Sequence, residues 1–218
     1  PANRAPLHPQ MPTPLSGGSH AVYAIATDAA GNAAGQSNTN TFPGDATARN
    51  PPAITAPANG STIGDNTPTI TGTGEPGATI TVSVDGTEIA DDVAVDGGGN
   101  WTLPLTAPLD DGQHTVTALQ TDAVGNTSTE ATSTFTVDTQ APPPPVITAP
   151  QDGALVSTAT PAITGTGLAG STITVSIDGT QIGTTVVSPG GSWSVTVTSP
   201  LADGDHTASA TQSDAVGN

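Results

Sequence analysis

The sequence contains no cysteine and no lysine, and its only strongly basic residues are Arg4 and Arg49. Without cysteine, disulfides and thiolate metal sites are excluded. The 19 acidic residues bring the formal net charge to −17. That charge argues against nucleic acid as a partner, because phosphate binding needs Lys and Arg, and against adsorption to anionic lipid. It is typical of a solvated, self-repelling surface or of a chain whose ligands are cations.

Aromatic residues and long apolar stretches are also scarce. Aromatic residues make up 2% of the chain and hydrophobic residues 33%, so a core must consist mainly of Val, Ile, Leu and Ala. No run of about 18 apolar residues is present, which predicts no membrane insertion. The 26 Gly and 21 Pro oppose helices, because both are poor helix formers. The first residues, PANR, include neither an initiator Met nor a signal peptide, so we expect a piece of a longer protein.

The dominant feature of the sequence is an internal repeat with a period of about 92 residues. Residues 121–126 read TDAVGN, residues 213–218 read SDAVGN, and residues 27–32 read TDAAGN. Longer segments recur in the same order: ITGTG at 70–74 and 163–167, ITVSVDGT at 80–87 with ITVSIDGT at 173–180, and single tryptophans at Trp101 and Trp193. This self-similarity predicts an array of like modules.

The repeat is out of phase with the two ends of the chain. The first 48 residues match only the closing part of a unit, with His20 aligned to His114. The last copy stops before the strand that residues 134–137 supply to the complete one. We therefore predict three segments: the C-terminal part of a truncated repeat at 1–48, a complete repeat at 49–140, and a repeat lacking its last strand at 141–218.

Within a repeat, apolar residues alternate with Thr and Ser. Ile80, Val82 and Val84 fall on one face of a predicted strand, which is the period of a half-buried strand. Turn signals rich in Gly, Asn and Asp separate about seven such segments, the number expected for an immunoglobulin-like sandwich. The predicted fold class is all-β, with tandem immunoglobulin-like β-sandwich repeats. The predicted core of the complete repeat comprises Ile70, Ile80, Val82, Trp101, Val116 and Phe135.

The motifs occur in an order that resembles a known family. TPxITGTG is followed by TITVS[VI]DGT, a Trp-bearing strand, PLxDGxHT, DAVGN and a VDTxAP linker. This order is similar to the bacterial Ig-like repeats of large biofilm-associated and calcium-dependent surface adhesins. The resemblance implies a non-enzymatic extender, extracellular and on the cell surface. In such an extender, neighbouring repeats of the chain project a distal binding domain, and calcium stiffens the domain junctions.

No catalytic residues are expected. His20, His114 and His206 occupy one equivalent position of the repeat, which favours a structural role over nucleophilic catalysis. We therefore predict that the chain is not an enzyme. Two alternatives stay open: a module that itself binds glycan, host protein or ice, and an accessory segment of a secreted hydrolase.

Calcium binding is the chemical hypothesis that the acidic loops favour. Calcium takes about six to eight oxygens from carboxylates, amides and backbone carbonyls. In a sandwich, the loop between the last two strands lies at the end where the chain enters, so each linker should lie beside the DxxGN loop of the following repeat. The resemblance supports the same positions. The predicted ligands are Asp45, Glu75, Asp122 and Asn126 at the first junction, and Asp138, Asp214 and Asn218 at the second.

Two observations bear on this hypothesis. Arg49 lies in the first linker and would oppose a cation there, so the second junction is the better candidate. The alternative interpretation of DxxGN is an Asx-type turn, in which the Asp accepts hydrogen bonds from backbone amides. Both interpretations can hold for the same loop.

The ends of the array predict an association between copies. The third repeat lacks the strand that residues 134–137 provide to the second, whereas the first segment carries a similar strand, TNTF, at 39–42. An open sheet edge pairs with a suitable strand. We therefore expect either unstable ends or head-to-tail self-association, in which the first segment of one copy completes the third repeat of the next.

Overall fold

The computed structural model describes residues 15–218, and these form β-strands and no helix. The strands of the first segment and the second repeat are β1 (Gly18–Val22), β2 (Asn40–Gly44), β3 (Ala53–Ala56), β4 (Ser61–Ile63), β5 (Thr69–Thr73), β6 (Thr79–Val84), β7 (Thr87–Ala94), β8 (Asn100–Pro104), β9 (Gly112–Thr121) and β10 (Ala131–Val137). Those of the third repeat are β11 (Val146–Ala149), β12 (Ala162–Thr166), β13 (Thr172–Ile177), β14 (Thr180–Val186), β15 (Ser192–Thr196) and β16 (Ala208–Ser213). Within this part of the chain, no helix is long and apolar enough to cross a membrane.

The strands form the paired sheets expected of a sandwich, so the predicted fold class is confirmed. The second repeat has a five-stranded sheet in the order β4-β10-β9-β6-β7 and a three-stranded sheet in the order β3-β5-β8. The third repeat has two three-stranded sheets, β14-β13-β16 and β11-β12-β15. Its β16 is an edge strand, whereas the equivalent β9 of the second repeat is followed in its sheet by β10 and then by β4, which pairs with β10 in parallel.

Two compact units make up the chain. One contains the described residues up to Thr55 together with Thr71–Leu103 and Val116–Thr132. The other contains Ala56–Ile70, Pro104–Thr115 and Ser133–Asn218. The predicted boundaries at 1–48, 49–140 and 141–218 are not tested by this division and stay a prediction.

Alternation along the strands produces the buried face of each repeat. In β13 the residues Ile173, Val175 and Ile177 are buried, and the Thr and Ser between them are partly exposed. The core of the third repeat joins residues of β12, β13 and β15 with neighbouring loops: Ile163, Ile173, Val175, Ile177, Val187, Trp193, Val195 and Val197. The six core residues predicted for the second repeat are all buried there, which confirms the choice: Ile70, Ile80, Val82, Trp101, Val116 and Phe135.

The first glycine of the ITGTG motif makes room for the buried tryptophan. A Cβ placed on Gly72 would lie 2.0 Å from the carbonyl oxygen of Ala53 and 2.4 Å from the Trp101 ring. At Gly165 the equivalent distances are 2.0 Å to the Val146 carbonyl and 2.3 Å to the Trp193 ring. Since no side chain fits at these distances, the motif and the tryptophan form one packing unit.

The hairpin of β1 and β2 reproduces the closing strands of a repeat. His20 lies opposite Phe42 in the antiparallel pairing, and their ring centroids are 5.9 Å apart. In the second repeat, His114 and Phe135 have centroids 5.8 Å apart. The imidazole Nε2 of each histidine is hydrogen-bonded to the carbonyl oxygen four residues earlier, as is that of His206 in the third repeat. One structural role therefore accounts for the histidine at this position of the repeat.

Candidate joints between the repeats

The DxxGN loops are closed by their own aspartate. Asp122 Oδ1 accepts hydrogen bonds from the amides of Val124 and Asn126, both at 2.9 Å, and its Oδ2 accepts one from Asn126 Nδ2 at 2.8 Å. Asp214 makes the same bonds, with the amide of Asn218 at 3.0 Å and its Nδ2 at 3.0 Å. This geometry is that of an Asx-type turn.

The asparagine at the end of each loop also contacts the linker that enters the repeat. Asn126 Nδ2 donates to the carbonyl oxygen of Asp45 at 3.4 Å, and Asn218 Nδ2 donates to that of Asp138 at 2.7 Å. The loop and the linker are therefore adjacent, as their order in the sandwich predicts. We call each such pair a joint: the first joint comprises residues 45–50 and 122–126, and the second comprises residues 138–143 and 214–218.

A glutamine side chain also fastens each linker to its repeat, and sequence reasoning missed it. Gln120 is only 2% exposed, and its Oε1 accepts from the amide of Glu75 at 2.8 Å while its Nε2 donates to the carbonyl of Asn50 at 3.0 Å. Gln212 accepts from the amide of Leu168 at 3.1 Å and donates to the carbonyl of Pro143. The available signal was a Gln two positions before the loop Asp in both copies.

The second glycine of ITGTG accommodates that glutamine. A Cβ on Gly74 would lie 2.7 Å from Gln120 Oε1, and one on Gly167 would lie 2.6 Å from Gln212 Oε1. The motif therefore serves both the core, through its first glycine, and the joint, through its second. This double use explains why both glycines recur in the two copies.

At the second joint, the loop of the third repeat lies against the end of β4. A Cβ on Gly64 would be 3.1 Å from the carbonyl oxygen of Val216 and 3.2 Å from Asn218 Oδ1. The amide of Asp138 donates to the carbonyl of Ile63 at 2.9 Å. Contacts from both sides of the linker thus hold residues 138–143 between the second and third repeats.

The linker of the second joint is also capped by Asp111. Its Oδ1 accepts hydrogen bonds from the amide and the hydroxyl of Thr139, both at 2.9 Å. Hydrogen bonding by Thr139 lowers the pKa of Asp111 below its ordinary value. The adjacent Asp138 Oδ1 accepts from the amide of Gln140 at 3.1 Å. The acidic residues here therefore satisfy backbone amides of the linker.

The first joint contains a cluster of charges centred on Arg49. Its guanidinium lies 2.8 Å from Asp45 Oδ2, 3.2 Å from Glu75 Oε1 and 2.7 Å from Asp122 Oδ2. Burial would raise the pKa of Asp122, but hydrogen bonds from Asn126 and Arg49 overcome it and hold the pKa well below its usual range. Hydrogen bonding to Asp122 raises the pKa of Arg49 in turn.

The predicted calcium ligands of the first joint do not fit a metal ion. Three of them, Asp45, Glu75 and Asp122, converge, but they converge on the guanidinium of Arg49. The fourth, Asn126, directs its amide nitrogen rather than its oxygen at the Asp122 carboxylate. The chain itself therefore places one positive charge, that of Arg49, among these three carboxylates.

The second joint has no such arginine and offers fewer acidic oxygens. Both carboxylate oxygens of Asp214 accept hydrogen bonds, as does Oδ1 of Asp138, and Asn218 again presents its amide nitrogen. Within residues 15–218, no group of three or more His, Asp or Glu side chains is arranged to hold a metal ion. A cation at this joint would therefore have to displace hydrogen bonds of Asn218.

A family model described as a bacterial Ig-like domain matches residues 55–139 and 148–218. No curated protein matches the chain. Similar solved structures include fibronectin(III)-like modules of Clostridium thermocellum CbhA, with 16% identity, a TM-score of 0.49, and coverage of 76% of this chain and 87% of that one. A 1.5-MDa bacterial ice-binding adhesin has 22% identity, a TM-score of 0.38, and coverage of 91% and 74%. The BSP domain of a biofilm-associated protein has 23% identity, a TM-score of 0.27, and coverage of 76% and 27%.

Proposed function

Because the chain belongs to the bacterial Ig-like domain family, we propose that it is a non-enzymatic structural spacer whose joints restrict motion between successive repeats. The observation that carries this proposal is the hydrogen bond from Asn218 Nδ2 to the Asp138 carbonyl at 2.7 Å, with its counterpart from Asn126 to Asp45. The same loop of each repeat engages the linker before it. A chain of such repeats transmits orientation from one module to the next.

The setting of this spacer is the outside of a bacterial cell, in a surface protein that holds a distal binding domain away from the envelope. Two features support that setting: the family and the net charge of −17. The tandem copies make neighbouring repeats of the same chain the primary partners. A self-repelling surface opposes non-specific aggregation of such an array.

Direct ligand binding is less well supported than a spacer role. Trp101 and Trp193 are buried beneath their glycines, so neither offers a stacking surface to a glycan. The exposed aromatic residues of the described chain, Tyr23 and Phe42, lie in the first segment. Neither the second nor the third repeat therefore presents an aromatic platform.

Calcium belongs to this proposal only at the second joint. Asp138 and Asp214 lie on the linker and the loop that meet there, and in the described structure no arginine accompanies them. Bound calcium would add a charged link between the linker and the loop. Its ligands would be these two carboxylates and the amide oxygen of Asn218 after rotation of that side chain.

The spacer proposal is tested by measuring the distribution of distances across the second joint. Because the chain has no cysteine, spin labels can be placed on Thr106→Cys and Thr180→Cys, two exposed sites. Double electron–electron resonance should give one narrow distance distribution for the parent chain. Asn218→Ala should broaden it, because the loop loses its bond to the linker. A broad distribution in the parent chain would contradict the proposal.

The matched control is Asn126→Ala, which removes the equivalent side chain at the first joint. It should leave the distribution between the two labels unchanged, because it acts on a different linker. Broadening by both variants would indicate a general loss of stability rather than the loosening of one joint.

A further inference from the structure

Three acidic side chains from separate parts of the chain converge on one arginine at the first joint. Asp45 lies in the linker, Glu75 in the loop after β5, and Asp122 in the DxxGN loop. Arg49 Nε donates to Asp122 Oδ2 at 2.8 Å, and its terminal nitrogens reach Asp45 and Glu75. No two of these acidic residues are close in sequence, so the fold assembles the cluster.

The cluster is sheltered at its centre and exposed at its rim. The Asp122 side chain is 8% exposed and that of Arg49 is 22% exposed, whereas Glu75 is 46% exposed. Charge-assisted hydrogen bonds are stronger where water is excluded. The Arg49–Asp122 pair is therefore the strong contact, and Glu75 adds charge at the surface.

The second joint shows what replaces this cluster when it is absent. The position equivalent to Arg49 is Pro142, and the position equivalent to Glu75 is Leu168. The cation and its outer anion are thus replaced together by apolar residues, while the loop aspartate remains as Asp214 and the linker aspartate as Asp138. The paired replacement indicates that Arg49 and Glu75 work as one unit.

We infer that Arg49 is the resident cation of the first joint: its guanidinium supplies the positive charge among Asp45, Glu75 and Asp122, and it fastens the linker without metal. The inference rests on the proposed spacer function and adds that the two joints are held by different chemistry. The first joint needs no calcium because Arg49 already donates hydrogen bonds to Asp122 and Asp45 and lies within ion-pair distance of Glu75. The inference concerns only the side chain of Arg49, since its backbone forms a separate β-bridge with Ser128.

Hydrogen exchange of the linker amides tests this inference in the full chain. In the parent protein, the amides of residues 45–50 should exchange at the same rate in millimolar calcium chloride and in chelator. In Arg49→Ala without calcium, the same amides should exchange at least about tenfold faster, the effect of losing one or two charge-assisted hydrogen bonds. Equal exchange in the parent and the variant would overturn the inference.

Calcium chloride then separates a resident cation from an ordinary ion pair. In Arg49→Ala the three carboxylates are left together without a counter-charge, so calcium should slow exchange of residues 45–50 again. Linker protection that depends on calcium in the parent protein would overturn the inference, and so would a variant that calcium leaves unchanged. The control is Glu88→Gln, an exposed acidic residue of β7 away from the joint, which should alter none of these rates.

A double-mutant cycle tests whether Arg49 and Glu75 act together. Glu75→Gln and Arg49→Ala should be less than additive in their effect on linker exchange, whereas Glu88→Gln and Arg49→Ala should be additive. Additivity of the first pair would overturn the paired role. The double-mutant cycle concerns the first joint, whereas the distance measurement concerns the second. A failure of this inference can therefore be distinguished from a failure of the spacer proposal.

Discussion

Gln120 Nε2 donates a hydrogen bond to the backbone carbonyl of Asn50 at 3.0 Å, across 70 positions of sequence. The same carboxamide accepts from the amide of Glu75 at 2.8 Å. One buried side chain thus satisfies two backbone groups that belong to the linker and to the loop after β5. Gln212 repeats the arrangement with Pro143 and Leu168.

Replacing this glutamine should destabilise the repeat that contains it. Gln120→Ala leaves the carbonyl of Asn50 and the amide of Glu75 without their partner in a site that is largely buried. We expect a loss of about 1–3 kcal/mol in the free energy of unfolding, measured by urea denaturation. Gln113→Ala, on the exposed face of the same strand β9, is the control and should cost less than about 0.5 kcal/mol. Similar losses for both variants would contradict the role of Gln120.

A methyl group at the first glycine of ITGTG should disrupt the tryptophan site. Gly165→Ala would place a Cβ 2.0 Å from the Val146 carbonyl and 2.3 Å from the Trp193 ring, so β11, β12 or the indole must move. We expect a cost of about 1–3 kcal/mol or more in unfolding free energy, with a change in the fluorescence of Trp193. Gly190→Ala meets only ordinary contact at 3.9 Å and should be nearly neutral. If Gly165→Ala leaves both the unfolding free energy and the Trp193 fluorescence unchanged, the expected clash at the tryptophan site is refuted.

The ion pair between His206 and Asp178 should make the third repeat sensitive to mild alkali. His206 Nδ1 lies 2.6 Å from Asp178 Oδ2, and this contact, together with the Ala202 carbonyl, raises the pKa of His206 above its ordinary 6.5. A raised pKa means that the stabilisation is fully present below pH 6.5 and is lost as the pH rises through the folded value. The free energy of unfolding of the third repeat should therefore fall as the pH is increased above 6.5.

The measurement is the imidazole titration of His206 by NMR. Asp178→Asn should lower the pKa of His206, because the negative charge beside the imidazole is removed. The side-chain oxygen of the new asparagine can still accept the hydrogen bond from the amide of Thr207, which is 2.8 Å long in the parent protein. Asparagine also tolerates the positive φ of 50° at this position, so the backbone turn is retained. An unshifted titration in the variant would refute the pairing.

Head-to-tail association of copies remains a prediction, and the third repeat offers a place for it. A groove of about 920 Å³ lies beside this repeat, lined among others by Leu155, Val156 and His206. In the second repeat, the histidine equivalent to His206 meets Phe135 of β10. We expect Phe42 of a second copy to supply the ring that His206 lacks, since among the described strands β2 pairs with β1 alone and a two-stranded hairpin is marginal by itself.

Sedimentation equilibrium of the parent chain should show concentration-dependent association that Phe42→Ala weakens. Tyr23→Ala removes a comparably exposed aromatic residue from the same segment and serves as the control. A monomeric parent chain, with β16 as protected from hydrogen exchange as β9, would reject the prediction.

Calcium at the second joint predicts a measurable stabilisation. A ligand at a hundredfold excess over its dissociation constant adds about 2.7 kcal/mol to the state that binds it, so melting in millimolar calcium should occur at a higher temperature than in chelator. Asp138→Ala should reduce that difference, and Asp45→Ala should not, because Arg49 serves the first joint. Coincident melting curves would leave the Asx-type turn as the whole explanation of the DxxGN loop.

The strands and the core of this chain follow from the sequence because they depend on local period. Alternation at Ile80, Val82 and Val84 specifies which face is buried, and the repetition of that pattern about 92 residues later makes chance agreement untenable. Turn chemistry is equally local: the Asp and Asn of DxxGN are four positions apart, so their capping bonds need no distant partner. These features determine the all-β class and where each loop lies along the chain.

What the loops and linkers bond to was decided only by the tertiary structure. Arg49 meets Asp122 across 73 positions, and Gln120 meets Glu75 across 45. Such pairs are set by how the linker packs on the following repeat, because side-chain reach and burial decide which oxygen meets which donor. The sequence therefore predicted acidic residues at the joints, but it could not show that the guanidinium of Arg49 contacts three of them at the first joint.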